Sequence, residues 1–345
     1  MGNRSTVYNN ITTEEKLAQV KKENIQLGED FLDYLSSIDR AKTTIAAYRN
    51  DLNIFWIWCL DYNKNKFFVD LTKREIAKFQ SHALSEWGWS PRRVRRVKST
   101  ISSLSNYIEN ILDDEYENYK PIVRKIESPV NNAVRDKTVL TKEQLKYLLD
   151  YLVEHEKIEQ VCMLDMAINN GRRKSELPRM KMDYFTEENV IYGSLYKTPE
   201  TIKTKGRGSN GKQLTIYTLK KDFQPYLDMW KKYREENGIE SEWFMPRKEN
   251  GVWVNEPVKT STLDSWALSF SKILGVPFYW HSLRHHFVTA LSESNIPDSV
   301  IQDLVGWTSA DMCRLYCDTE ADAKFGKYFG EDGIKEVKET KLSDL

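Results

Sequence analysis

Gly171-Arg172-Arg173-Lys174-Ser175-Glu176-Leu177 sets three successive cations shortly after the mostly apolar stretch Val161 to Ile168. Alone, such a run is an ordinary solvated turn. Placed between segments that must be buried, it is also a way to hold an anion, because guanidinium groups present paired N–H donors to phosphate oxygens. Both readings stand until the rest of the chain is considered.

Two downstream segments bear on the choice. His281-Ser282-Leu283-Arg284-His285-His286-Phe287 follows the aromatic run Phe278-Tyr279-Trp280. A spacing of three puts His281 and Arg284 on the same side of a helix, able to reach one group together. His281 and His285 are four apart and could form a metal pair, but no Glu stands between them and no third ligand is near. A surface helix with spare histidines is the plain alternative. Farther on, Leu304-Val305-Gly306-Trp307 is followed nine residues later by Tyr316. A tyrosine in a late helix ordinarily packs, and Cys313 with Cys317 would supply two soft ligands, too few for a firm site.

Together the three segments resemble the tyrosine recombinase family, the lambda-integrase-like site-specific recombinases. The family's first box, Gly-x-Arg-x-Ser-Glu-Leu, is met by Gly171, Arg173, Ser175, Glu176 and Leu177; its His-x-x-Arg box by His281 and Arg284; its third box by Gly306, Trp307 and Tyr316. Trp307 stands where many members carry His, as in the Cre-type members, and Val305 where many carry Leu. The resemblance implies a mostly α, two-domain clamp: an N-terminal helical core-binding (SAM-like) domain and an α-rich catalytic domain with a small antiparallel β-sheet. It implies Tyr316 as the nucleophile, forming a 3′-phosphotyrosine and releasing a 5′-hydroxyl. Arg173 and Arg284 would clamp the scissile phosphate, and His281 would accept the phenol's proton or hydrogen-bond to it. Lys205, chosen over Lys203, would protonate the leaving oxygen, and Trp307 would donate its indole N–H. Glu176 would brace the network. No metal, cofactor or ATP is expected. The expected partners are double-stranded DNA, a homotetramer on two DNA sites, and an accessory DNA-bending or directionality protein. The expected role is the integrase or transposase of a mobile element; a chromosome- or plasmid-resolving (Xer-type) recombinase and a non-catalytic DNA-binding regulator are the alternatives.

Upstream, β-prone runs at Val190–Tyr192 and Gln213–Thr218 flank the turn-rich stretch from Thr204 to Gly211, which predicts a hairpin or small antiparallel sheet. Helical patterns resume at Phe223. Thr141 and Gln144 form a capping-box pattern that opens a helix through Leu145, Leu148 and Leu149. Charges, Pro121 and Pro129 mark the stretch before it as a linker.

Four helical patterns lie N-terminal to that linker. The clearest begins with Ser90 as N-cap and Pro91 at the first helical position, and Val94, Val97, Ile101, Leu104, Ile108 and Ile111 recur at spacings of three and four. Its first turns carry Arg92, Arg93, Arg95, Arg96 and Lys98 with no acid among them, either a solvated face or a row of phosphate contacts. Trp87 and Trp89, just before, read as core. Thr44, Tyr48, Leu52, Phe55 and Trp58 resemble the second helix of the family's core-binding domain. The expected boundaries are an arm over 1–24, too short for an arm-binding domain, a core-binding domain over 25–115, a linker over 116–137, a catalytic domain over 138–330 and a tail over 331–345.

Composition agrees. The 345 residues are 40% hydrophobic and 12% aromatic, which excludes a disordered chain. The 51 basic and 51 acidic residues cancel, yet Arg40 to Leu112 holds thirteen Lys/Arg against six Asp/Glu, and a local patch governs binding rather than the sum. The longest apolar run, Ile54 to Leu60, is too short to span a bilayer, and the N-terminus lacks a signal-peptide core. Four scattered cysteines do not form a disulfide framework, so a reducing, cytoplasmic setting away from membranes is expected.

Overall fold

The computed structural model describes residues 10–130, 140–206, 208, 211–307, 309, 329–330 and 333–334. They form two compact units, one containing residues up to 130 and the other residues 140–205 and from 212 onward.

The N-terminal unit is helical: α1 (Glu14–Gln19), α2 (Lys22–Ser37), α3 (Lys42–Tyr62), α4 (Lys73–Ser85) and α5 (Pro91–Ile111). Three of the starts, those of α1, α4 and α5, carry a side-chain cap. Thr72 and Glu75 exchange both bonds of a capping box before α4, and Ser90 accepts from the Arg93 N–H before α5. Leu27, Phe31 and Leu35 of α2 meet Phe55 and Trp56 of α3, Phe79 of α4, and Val94, Val97, Ile101, Leu104 and Ile108 of α5 in one core. Ile111, the last of the apolar series, lies beyond that core and is 43% exposed. Trp89 is buried, as expected, and Trp87 packs beside it.

The stretch expected to begin a linker at 116 instead packs on this core. Ile122 and Val123 are buried and Tyr116, Tyr119 and Ile126 lie against the cluster. Proline and charge signal an irregular backbone there, but irregular backbone can still be buried when its polar groups are met. Here the Tyr119 N–H donates to the Tyr116 carbonyl (2.8 Å) and the Ile126 N–H to the Val123 carbonyl (3.1 Å), while the Tyr119 and Ser105 hydroxyls lie 2.7 Å apart.

The C-terminal unit begins with α6 (Lys142–Glu154), opened by the Thr141–Gln144 capping box, and α7 (Ile158–Asn170). Val161 to Ala167 is buried on every side, so α7 is the central helix. Strands β1 (Val190–Ile191), β2 (Leu195–Lys197) and β5 (Tyr217–Leu219) form an antiparallel sheet in the order β1-β2-β5. Strands β3 (Ile202–Thr204) and β4 (Lys212–Leu214) form a separate hairpin, with Ile202 opposite Leu214 and Thr204 opposite Lys212. Then come α8 (Lys220–Glu236), β6 (Pro246–Glu249), β7 (Val252–Pro257), α9 (Thr260–Leu274), α10 (Trp280–Glu293) and α11 (Asp298–Val305). The β6–β7 hairpin interrupts what the sequence suggested was helical throughout. Asn250 and Gly251 supply its turn, both with positive φ (48° and 86°), the backbone a two-residue hairpin requires. Among the described residues no helix is long and apolar enough to cross a membrane.

Candidate functional site

Where α7 stops, Gly171 adopts φ +58°, and a Cβ there would sit 2.5 Å from Cδ1 of Phe287 on α10. Only glycine permits both the left-handed turn and this contact. The turn delivers the three cations in three directions. Arg172 is fully buried; its Nε donates to the Asn170 carbonyl (3.0 Å) and its Nη2 to the Leu304 carbonyl (2.5 Å). Burial pushes its guanidinium down to about 10, although Glu176 opposes the shift. Lys174 turns outward and binds both carboxylate oxygens of Asp264 at 2.7 and 2.8 Å. Arg173 stays at the surface of the site, its Nη1 donating to Glu176 Oε1 at 3.0 Å.

Glu176 is 1% exposed and also accepts from the Arg173 backbone N–H at 3.2 Å. Burial alone would raise its pKa, but the charges of Arg173 and Arg172 and the bonds from Arg173 prevail and hold the carboxyl below the ordinary carboxylate range. The expected bracing partner is therefore in contact with Arg173.

Arg284, on α10, is fully buried. Its Nη1 donates to the Gly171 carbonyl (3.1 Å), its Nη2 to the Val305 carbonyl (3.3 Å), and its guanidinium carbon lies 5.2 Å from the centre of the Trp307 ring. One side chain thus joins all three sequence boxes. His281, one turn earlier, is on the exposed side of α10, its ring 5.4 Å from that of His285. Desolvation, followed by the charges of His285, Arg284, Arg173 and Lys205, pushes its pKa down to about 4. The imidazole is therefore neutral at pH 7. The His281–His285 pair has no third His, Cys, Asp or Glu beside it, since no such group of three exists among the described residues.

The third box is held from below. Gly306 ends α11 at φ +74°, and a Cβ there would be 2.3 Å from Leu214 Cδ1 on β4. Lys212, also on β4, donates to the Gly306 carbonyl at 3.2 Å. These contacts fasten the β3–β4 hairpin to the turn that carries Trp307, which is buried with Phe287, Val288, Leu291, Ile301, Leu304 and Val305. On the hairpin, Ile202 and Thr204 point inward while Lys203 points out, its carbonyl accepting from Arg179. Lys205, just past the strand, is exposed, and its charge acts on His281. Tyr316 lies outside the described residues, as do Cys313 and Cys317. Arg172, Lys212 and Asp264 had no signal in the sequence that marked them as supports of the site, since each depends on a partner at least 90 residues away.

In the N-terminal unit the basic turn of α5 divides. Arg92, Arg95 and Arg96 are exposed, Arg93 is half-buried and Lys98 is buried. Lys98 donates to the Ile126 carbonyl and to Ser128 Oγ, which anchors the chain after the helix. That use removes it from the row of candidate phosphate contacts.

An α-helical unit in which a buried arginine joins a Gly-x-Arg turn, a His-x-x-Arg helix and a Gly-Trp turn defines an integrase-type catalytic fold. The phage integrase family pattern matches residues 138–322, and the chain belongs to that family, the tyrosine recombinases. It is 29% identical over 292 residues to the SPbeta prophage-derived recombinase-like protein YomM of Bacillus subtilis (strain 168), covering 81% of this chain and 82% of that protein. Tyrosine recombinase XerA of Thermococcus kodakarensis is 25% identical over 291 residues, covering 84% of this chain and 89% of the relative. In fold, the chain is similar to the XerH site-specific recombinase bound to palindromic difH substrate in its post-cleavage complex, with a TM-score of 0.62, 18% identity, and coverage of 82% and 78% of the two chains.

Proposed function

We propose that this recombinase cuts and rejoins double-stranded DNA at specific sites as the integrase or transposase of a mobile element, through a 3′-phosphotyrosine intermediate. The observation that carries the reading is the placement of Arg284 between Gly171, Val305 and Trp307, which joins the Gly171 turn, the His281–Arg284 helix and the Gly306–Trp307 turn, with the charges of Arg284, Arg173 and Lys205 all acting on His281. A prophage-borne relative at higher identity than the XerA relative supports the mobile-element role. The XerA relative, covered over 89% of its length, supports chromosome or plasmid resolution as the second reading.

Tyr316 Oη attacks the scissile phosphorus, a P–O bond to tyrosine forms, and the bond to the 5′-oxygen breaks. A free phenol is ionised only about one part in a thousand at pH 7, so its proton needs an acceptor. Neutral His281 receives it, and the arriving phosphate's negative charge raises the basicity that the surrounding cations suppress. Lys205 protonates the leaving 5′-oxygen. Arg173, steered by Glu176, takes the non-bridging oxygens, and Arg284 adds its charge from beneath. Trp307 donates its indole N–H to the phosphate and packs the turn. Rejoining reverses each transfer: a 5′-hydroxyl attacks the phosphotyrosine and the phenol is released. No metal or nucleotide enters this scheme. The working assembly in this reading is a homotetramer on two DNA sites in the cytoplasm, aided by a DNA-bending or directionality protein.

The test is an SDS-resistant protein–DNA adduct, formed without added metal on duplexes from the ends of the gene's own genomic surroundings. Wild type should form it and Tyr316→Phe should not, while both bind the duplex. Binding by wild type without an adduct would favour a non-catalytic regulator, and an adduct formed by Tyr316→Phe would overturn the nucleophile assignment.

A further inference from the structure

Five cations open α5, and their surroundings differ. Lys98 is committed to Ile126 and Ser128. Arg95 donates to the Pro129 carbonyl at 2.9 Å. Arg96 donates through Nε to the carboxylate of Asp51 at 3.2 Å, and that buried carboxylate also accepts from Thr100 Oγ1 at 3.1 Å. Arg92 is exposed.

Arg93 is neither committed nor loose. Its guanidinium carbon lies 4.5 Å from the centre of the Trp89 ring, and its Nε is shielded from solvent with no acceptor among the described residues. Trp89 is itself fixed: 7% exposed, 4.8 Å from the Trp87 ring and 6.4 Å edge-on from Phe79. A guanidinium laid on an immobile indole has lost most of its side-chain freedom on folding, so binding through it carries little further entropy cost. Asp51, close enough to act on Arg93, holds Arg96 aside and offsets the repulsion between the two.

Fixed geometry matters unequally for the two kinds of DNA contact. A phosphate can be met by a flexible cation, because its position carries no sequence information. A base edge must be met by donors already aimed, and an arginine with paired N–H groups fits the two acceptors of guanine. We propose that Arg93 is the base-reading residue of this helix, held by Trp89 as a positioning residue, and that Arg92 makes a sequence-independent phosphate contact. This inference rests on the DNA-recombinase reading above.

The experiment is selection of duplexes from a randomised pool by the full chain, comparing wild type with Arg93→Lys, Arg92→Lys, Trp89→Leu and Trp89→Phe. Arg93→Lys keeps the charge but loses the fork. It should reduce the preference at one base pair of the bound site by about 5- to 150-fold and leave the other positions as in wild type. Trp89→Leu should relax the same base pair, and Trp89→Phe, which keeps a ring under the guanidinium, should restore it. Arg92→Lys should leave every preference intact. An unchanged preference profile for Arg93→Lys, or a loss of affinity spread evenly over all duplexes, would overturn the assignment. Failure of wild type to enrich any sequence would instead overturn the site-specific reading beneath it.

Discussion

Replacing Gly306 with Ala should damage the candidate site through two separable costs. The position has φ +74°, where an L-residue loses about 1–2 kcal/mol. The added methyl would also lie 2.3 Å from Leu214 Cδ1, and overpacking of this kind costs about 1–3 kcal/mol. The single variant should therefore lose about 2–5 kcal/mol from the C-terminal unit. Leu214 is half-buried, so Leu214→Ala should cost about 1–2 kcal/mol, below the range for a fully buried leucine. In the double variant the clash disappears while the backbone strain and the truncation remain, so its loss should fall short of the sum of the singles by about 1–3 kcal/mol. Equilibrium urea unfolding of the full chain, read by tryptophan fluorescence with the two units fitted separately, measures all four proteins. Losses that add, or a Gly306→Ala protein within about 0.5 kcal/mol of wild type, would refute the argued contact between the β3–β4 hairpin and the third box. Adduct formation should follow the same order, because Lys212 loses its Gly306 acceptor when the hairpin is displaced.

The adjacent arginines of the first box should separate cleanly. Arg173→Met should reduce adduct formation at least about 100-fold. Arg172→Met should cost the C-terminal unit about 2–4 kcal/mol in urea unfolding, since two charged hydrogen bonds are lost against one buried charge relieved. The depressed pKa of His281 makes stability fall as pH drops from about 6.5 to about 4, because over that window the unfolded chain binds a proton that the folded chain refuses. The fall in Tm across this range should be smaller for His281→Asn than for wild type, and equal slopes would contradict the depressed value. Lys98→Met should destabilise the N-terminal unit by about 1–3 kcal/mol and leave the salt dependence of DNA binding unchanged, whereas Arg92→Ala should reduce the slope of log K against log salt by about 1.

Local physics was legible in the sequence. Ser90 and Pro91, and the Thr141–Gln144 pair, announced helix starts because a cap is satisfied within three residues of itself. The spacings of three and four in α5 named its buried face down to Ile108, and the three boxes pointed to the family because each is a short run whose residues act together. The β6–β7 hairpin was legible in principle, through Asn250-Gly251, but the apolar residues around it also fit a helical reading.

What only the tertiary structure decided was the use of residues that look alike along the chain. Arg172, Arg173 and Lys174 are three cations in a row, yet one is a buried strut to Leu304, one remains at the site with Glu176, and one is drawn out to Asp264. Arg93 and Lys98 sit in the same basic turns, yet one rests on Trp89 and the other ties down Ile126 and Ser128. The reason is that a long charged side chain takes its role from the acceptor or ring it meets. Those partners lie up to 132 residues away, at distances set by packing rather than by sequence spacing.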